Sequence, residues 1–272
     1  MKRLFLLLLP MAAVLSSCNK SSNTEVEETP PQTIFFADYN ITQNQVRHII
    51  NGVDKIVKKY VEDGSVPGVS VEANLDGSHT MTIAYTTEVT ISSVAFHTPS
   101  GKVKVKITGT SFIADDAVKV IDVSELVLTT QDIYLTPYTY EGTVAVANSS
   151  ISGDVYNQSV QYNGFGIRIK DASEVALLFS TFSFDYKSNR SLSPSFSWDN
   201  AIGGGTHNKY GAFTASISST VEVEAGFYKS GSYTFTAEKI SSYSPIVVQL
   251  GASGLGTLSI THNGETLHYS TF

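Results

Sequence analysis

The chain has one cysteine, one tryptophan and three methionines in 272 residues, and only 16% of it is charged. A single thiol excludes an internal disulfide, so an exported form of this chain must hold together by packing alone. Scarce charge beside 42% hydrophobic and 11% aromatic residues excludes disorder beyond the N-terminal region. No apolar run is long enough to cross a bilayer as a helix. The run Leu4–Leu15 is about twelve residues and is broken by Pro10, where a span needs ~20. His-x-His, His-Glu-x-x-His and Gly-x-Ser-x-Gly are all missing. Gly203-Gly204-Gly205 is the densest glycine run, but it has neither phosphate-binding spacing nor a βαβ context, and it reads as a mobile loop.

What is present begins with an address. Met1-Lys2-Arg3 is a basic start, Leu4–Leu15 a short apolar core, and Ser16-Ser17 small residues before Cys18. That order describes a secretory signal peptide. Leu15-Ser16-Ser17-Cys18 resembles the lipobox of bacterial lipoproteins, which implies cleavage before Cys18 and a diacylglyceryl group on its thiol. Multiple acyl chains would give durable membrane attachment. Asn19 follows the cysteine in place of the aspartate that favours inner-membrane retention, so the resemblance implies an outer-membrane anchor, periplasmic or surface-facing. Glu25, Glu27 and Glu28 begin seven residues after Cys18. Lys2 and Arg3 leave with the signal peptide, so 18 basic residues become 16 against 25 acidic ones, a net charge of −9. Such a surface repels nucleic acid.

Four segments follow: a signal peptide over 1–17, a lipidated stalk over 18–33, a helix-plus-sheet part over 34–136, and a second β part over 137–272, the last two being either separate or one continuous domain. The stalk is rich in Ser, Asn, Thr, Glu and Pro, with Val26 its one aliphatic residue. The pattern predicts a helix over Gln43–Asp63. Thr42 would cap it, Gln45 would complete a capping box, and Ile41 with Val46 would form a hydrophobic staple. Val46, Ile49, Ile50, Val53, Ile56, Val57, Tyr60 and Val61 make one apolar stripe. Gly64 is the stop signal. Ile34–Tyr39 reads as an early strand.

From Gly68 the period falls to two. Val69, Val71 and Ala73 alternate with polar residues, and Asp76-Gly77 turns the chain into Met81–Tyr85. Val103, Val105 and Ile107 alternate with Lys102, Lys104 and Lys106, lysines of the kind that protect a sheet edge. Further strands are predicted near 118–129, 139–147, 164–170, 175–184, 211–223, 232–238, 245–250 and 256–262. A two-residue turn at Asn263-Gly264 would pair His262 with Glu265, Ile260 with Leu267 and Leu258 with Tyr269. The fold class is therefore all-β, an antiparallel barrel or sandwich of meander hairpins, with one N-terminal amphipathic helix. Tyr140-x-Gly142-Thr143-Val144-x-Val146 resembles the first strand of calycin-like β-barrel lipoproteins, which implies an up-and-down barrel with an enclosed cavity.

The chemistry is sparse. The six histidines are His48, His79, His97, His207, His262 and His268, and the hairpin register sends His262 and His268 to opposite faces. No metal and no cofactor is expected. Asp115-Asp116 are adjacent, and neighbouring strand residues face apart, so they are poor acid–base partners. The segment 198–210 gathers the single Trp with amides, a His and a Tyr. Trp198, Asn200, His207 and Tyr210 together could stack on and hydrogen-bond a sugar; alternatively Trp198 plugs one end of the sheet. These residues lead to an expected non-enzymatic lipoprotein on the outer membrane, binding a small apolar ligand or a glycan. The alternative is a structural or adhesive surface protein, with Ile34–Tyr39 as a removable strand.

Overall fold

The computed structural model describes residues 31–272 apart from 86–96, 131–135, 170–171, 173–174, 190–194, 225–226, 244, 252–253, 255, 263 and 271–272. Cys18, the signal peptide and the stalk up to residue 30 lie outside the described residues. One long helix, α1 (Pro31–Asp63), precedes fourteen strands. These are β1 (Val69–Ala73), β2 (His79–Tyr85), β3 (His97–Thr108), β4 (Val118–Asp122), β5 (Leu126–Thr130), β6 (Pro137–Ser152), β7 (Val155–Ile169), β8 (Leu177–Asn189), β9 (Ser195–His207), β10 (Gly211–Glu224), β11 (Phe227–Ala237), β12 (Ile246–Leu250), β13 (Thr257–His262) and β14 (Glu265–Ser270).

All strands join one antiparallel sheet in chain order. The one departure is β4 and β5, which lie end to end and share the place between β3 and β6. The sheet is continuous across Pro137, because β6 pairs with β4 and β5 on one side and β7 on the other. The two hairpin signals hold. Gly77 turns the chain at φ +79, and the last hairpin pairs His262 with Glu265, Ile260 with Leu267 and Leu258 with Tyr269. Val103, Val105 and Ile107 are buried, as the alternation predicts. However, β3 is an inner strand, not an edge. Its lysines instead meet acids on the outer face: Lys106 with Asp76 at 2.7 Å, and Lys102 and Lys104 with Glu125 at 2.9 and 3.1 Å.

The helix differs most from expectation. It begins eleven or twelve residues earlier, at Pro31, a residue suited to the first helical position. The segment Ile34–Tyr39 is helical, not a strand, and residues 31–33 belong to the helix, not to the stalk. Phe35, Phe36, Tyr39, Val46, Ile49, Ile50 and Val53 form one continuous buried stripe at helical spacing. Thr42 is therefore interior, and its hydroxyl donates back to the Asp38 carbonyl at 2.8 Å. Gln45 makes no capping box; it accepts from the Tyr140 hydroxyl at 2.9 Å. Ile41 is 40% exposed and staples nothing. The stop is as expected: Gly64 has φ +74, and its N–H bonds the Tyr60 carbonyl at 2.9 Å.

The sheet coils around this helix. Gln45 and Arg47 project roughly 200° apart, at 100° per residue. Yet Gln45 reaches Tyr140 on β6 and Arg47 reaches Phe196 on β9. The first turns of α1 pack on β9 to β11 through Phe35 and Tyr39, whose rings meet His207, Phe213, Tyr233 and Phe235. The last turns reach β4 and the residues before it, through Asp54 to Lys119 and Tyr60 to Phe112. Side chains of α1 thus occupy the concave side that the calycin-like resemblance would leave as a cavity. The open stripe of the helix runs through Ile34, Asp38, Ile41, Asn44, His48, Asn51, Lys55 and Lys58.

Tight coiling has a backbone cause. The alternation slips at register shifts between β6 and β7, β8 and β9, β9 and β10, and β10 and β11, and each bulge adds bend and twist. Gly142 sits at one such shift with φ +76, where an added Cβ would lie 2.1 Å from the Gly164 carbonyl oxygen. Gly203-Gly204-Gly205 is likewise not a loop but part of β9, hydrogen-bonded between β8 and β10.

Candidate functional site

Strand β9 carries three of the four residues singled out in the sequence, and it spreads them. Trp198 and His207 stand near its two ends, roughly 30 Å apart at ~3.3 Å per residue. His207 is 2% exposed. Its Nδ1 accepts from the backbone N–H groups of Lys209 and Tyr210 at 3.1 and 3.3 Å. That assignment puts the ring proton on Nε2, which faces Asp38 Oδ2 at 3.0 Å. Tyr210 is buried beside it, with ring centroids 4.6 Å apart, and makes a T-shaped contact with Phe35. His207 and Tyr210 therefore fasten the start of α1 to the β9–β10 turn. Asn200 lies on the outer surface at φ +51, and its Nδ2 donates to Asp185 Oδ2 at 2.8 Å. The structure does not gather the four around one point.

Trp198 does enter a different cleft, between α1 and the far halves of β8 and β9. Its lining is Gln43, Arg47, Ile50, Phe184, Tyr186 and Trp198, with about 10 Å³ of inner space, the size of one water. On α1, Gln43, Arg47 and Ile50 are spaced four and three apart and so share a face. On β9, Phe196 and Trp198 are two apart and share a face. The Arg47 guanidinium lies 3.8 Å from the Phe196 ring centroid, a cation–π contact. Phe196, half-buried, lies nearly parallel to Trp198 at 6.4 Å and 15°. Trp198 is held by its indole N–H, which donates to the Tyr233 hydroxyl. Asn51 fixes Tyr186 through a 3.1 Å hydrogen bond.

The electrostatics of this cleft are one-sided. Among the described residues no carboxylate lies within ion-pair distance of Arg47. Burial pulls the Arg47 guanidinium below its ordinary pKa, and the phenols of Tyr186, Tyr228 and Tyr233 oppose that pull. Arginine still keeps its charge. Gln43 is 7% exposed; its Oε1 accepts from the Tyr162 hydroxyl at 2.8 Å, while its Nε2 has no acceptor. Trp198 stood out because it is the one tryptophan of the chain. Nothing in the sequence marks Arg47 and Gln43, since their partners lie more than a hundred residues away.

A second site was also invisible in the sequence. Lys119 Nζ donates to Asp54 Oδ1 at 2.5 Å, with both side chains 2% exposed. Gln158 Nε2 donates to Asp54 Oδ2 at 2.9 Å and to Asn148 Oδ1 at 3.1 Å. Asn148 in turn donates to the Ala114 carbonyl at 2.9 Å. This ionic knot ties α1 to β4, β6 and β7, with the polar valences of the ion pair met by its neighbours. Asp115 and Asp116 lock turns: Asp115 accepts from the Ile151 N–H, and Asp116 from the Thr110 N–H and hydroxyl, which hold its carboxyl below the usual range. A shallow groove of about 270 Å³ lies beyond the end of α1, lined by Val61, His79, Ile107 and the 108–112 turn.

No family model, curated protein or solved structure matches the chain.

Proposed function

We propose that this chain is a lipid-anchored, non-enzymatic protein of the outer membrane that binds a glycan in the cleft between α1 and β9. The observation that carries this reading is the Arg47–Phe196–Trp198 stack. It presents aromatic rings beside free hydrogen-bond donors, the combination that holds a sugar ring by its apolar face and its hydroxyls. An enclosed apolar ligand finds less support, because α1 fills the concave side of the sheet. The tether is the lipid expected on Cys18. A Cys18→Ser chain is expected to leave the membrane fraction for the soluble one on cell fractionation; retention in the membrane would refute the anchor.

The binding half is tested with the full chain in detergent on a glycan array. Selective binding is expected, and it should fall at least tenfold with Phe196→Ala, a half-buried ring whose loss opens the cleft. A blank array, or unchanged binding by Phe196→Ala, would sink the assignment. A surface-subunit role is the second reading, favoured by one observation: β1 and β14 each pair on one side only among the described residues. The donor strand expected at Ile34–Tyr39 is not available for it, since that segment is the buried start of α1.

A further inference from the structure

Three features of the cleft bear on the charge of its ligand. Arg47 is a half-buried cation with no carboxylate within ion-pair distance among the described residues, in a chain that is acidic as a whole. The side chains packed against it from β8, β9 and β11 are Phe184, Tyr186, Phe196, Trp198, Tyr228 and Tyr233, none of which carries charge at neutral pH. Gln43, one turn before Arg47, is more than nine-tenths buried and lines the same space, and its Nε2 has no acceptor. A buried donor left unmade is unfavourable. The cleft thus holds an unpaired cation and an unmade amide donor, both of which call for acceptors. A carboxylate is acceptor-only when ionised, offers about four lone-pair sites, and matches the guanidinium fork in two-point geometry. A neutral hydroxyl satisfies the amide but leaves the half-desolvated cation uncompensated.

We propose that this cleft receives a carboxylate, so that its ligand is an acidic saccharide of the uronic-acid class. The inference rests on the glycan-binding reading above. The inner space of about 10 Å³ admits only the tip of a head group, and the ring stays at the mouth against Phe196. The carboxylate meets the Arg47 guanidinium, with the Gln43 amide beside it.

Trp198 is the only tryptophan in the chain and lines the cleft, so its emission reports on the site without a label. The full chain in detergent is titrated with glucuronate, with glucose as the neutral ring, and with acetate as the carboxylate without a ring. Glucuronate is expected to shift the emission saturably, with glucose and acetate each at least tenfold weaker. Arg47→Met keeps an apolar stem on Phe196 and should weaken glucuronate at least tenfold. Gln43→Glu is nearly isosteric, puts a negative charge in the space and should do the same. Thermal unfolding of each variant separates lost binding from lost fold. Glucose equal to glucuronate would overturn the acidic preference while leaving glycan binding in place. Acetate equal to glucuronate would overturn the saccharide. Folded variants that bind glucuronate like the parent would overturn the site, and no response to any sugar together with a blank array would remove both readings at once.

Discussion

Asp54 and Lys119 face each other in the interior of the molecule, each 2% exposed, with Gln158 and Asn148 completing their hydrogen bonds. Removing one charge from a buried pair leaves the other uncompensated, at about 3–5 kcal/mol. Lys119→Met and Asp54→Leu should each cost that much in urea unfolding, and the double variant should cost clearly less than the two together. Strict additivity would show that the pair is not coupled. The same scale explains why Lys119 was illegible. In Val118-Lys119-Val120-Ile121 the usual alternation turns the valines inward, yet Lys119 and Ile121 are buried and the valines half-buried. The phase is decided by Asp54 on α1, 65 residues away. Gly205 misled in the opposite sense. A Cβ there would lie 1.8 Å from the Leu178 carbonyl oxygen, so its smallness serves close strand approach and not mobility. Gly205→Ala is expected to destabilise by at least ~2 kcal/mol, in the range of overpacked cores, read as a lower thermal midpoint. An unchanged midpoint would mean that the strands separate at no cost.

Among the elements, α1 matters most. Its legible part was the stripe from Val46 to Val57 and the Gly64 stop, because local period and cap chemistry act within a few residues. Its first three turns were hidden, since Ile34-Phe35-Phe36 is as apolar as a strand and only the sheet decides between the two forms. Phe35 meets His207, Tyr210, Phe213 and Phe235, with no exposed surface. Phe35→Ala should therefore cost about 3–5 kcal/mol. Ile41→Ala, on the open stripe, should cost less than ~0.5 kcal/mol. Equal midpoints in urea for the two variants would mean that the first turns of α1 do not pack as described. Hairpins were readable where turn residues and alternation agree, as at Gly77 and Gly264. They were unreadable where a bulge shifts the phase, as in β7 to β10. The candidate cleft lies on that unreadable stretch and on the flank of the buried stripe of the helix, so only Trp198 stood out.

The molecule as a whole is an aromatic interior wrapped around one helix, and its response to alkali follows. Burial pushes the phenols of Tyr39, Tyr140, Tyr162 and Tyr233 well up, and Tyr228 up to about 12. A phenol in the unfolded chain titrates near 10. Below that value both states keep the proton, and the packing of these neutral rings contributes in full. Above it the unfolded state releases protons that the native state retains, so stability falls as pH rises from about 10 through 12 and beyond. Phenolate absorbance should accordingly rise in one steep step that coincides with loss of circular dichroism. A broad titration of the same rings with the fold intact would contradict their burial.

Because the lipid expected on Cys18 joins the body through Pro31, any pull between membrane and ligand enters the molecule at its innermost part. Force would arrive at the start of α1, where Phe35, Phe36 and Tyr39 are buried inside the coil of strands. To give way, the helix must slide past many side-chain contacts at once, in shear, while the outer hairpins bear little of the load. The anchor line would thus be tied to the spindle and not to the winding.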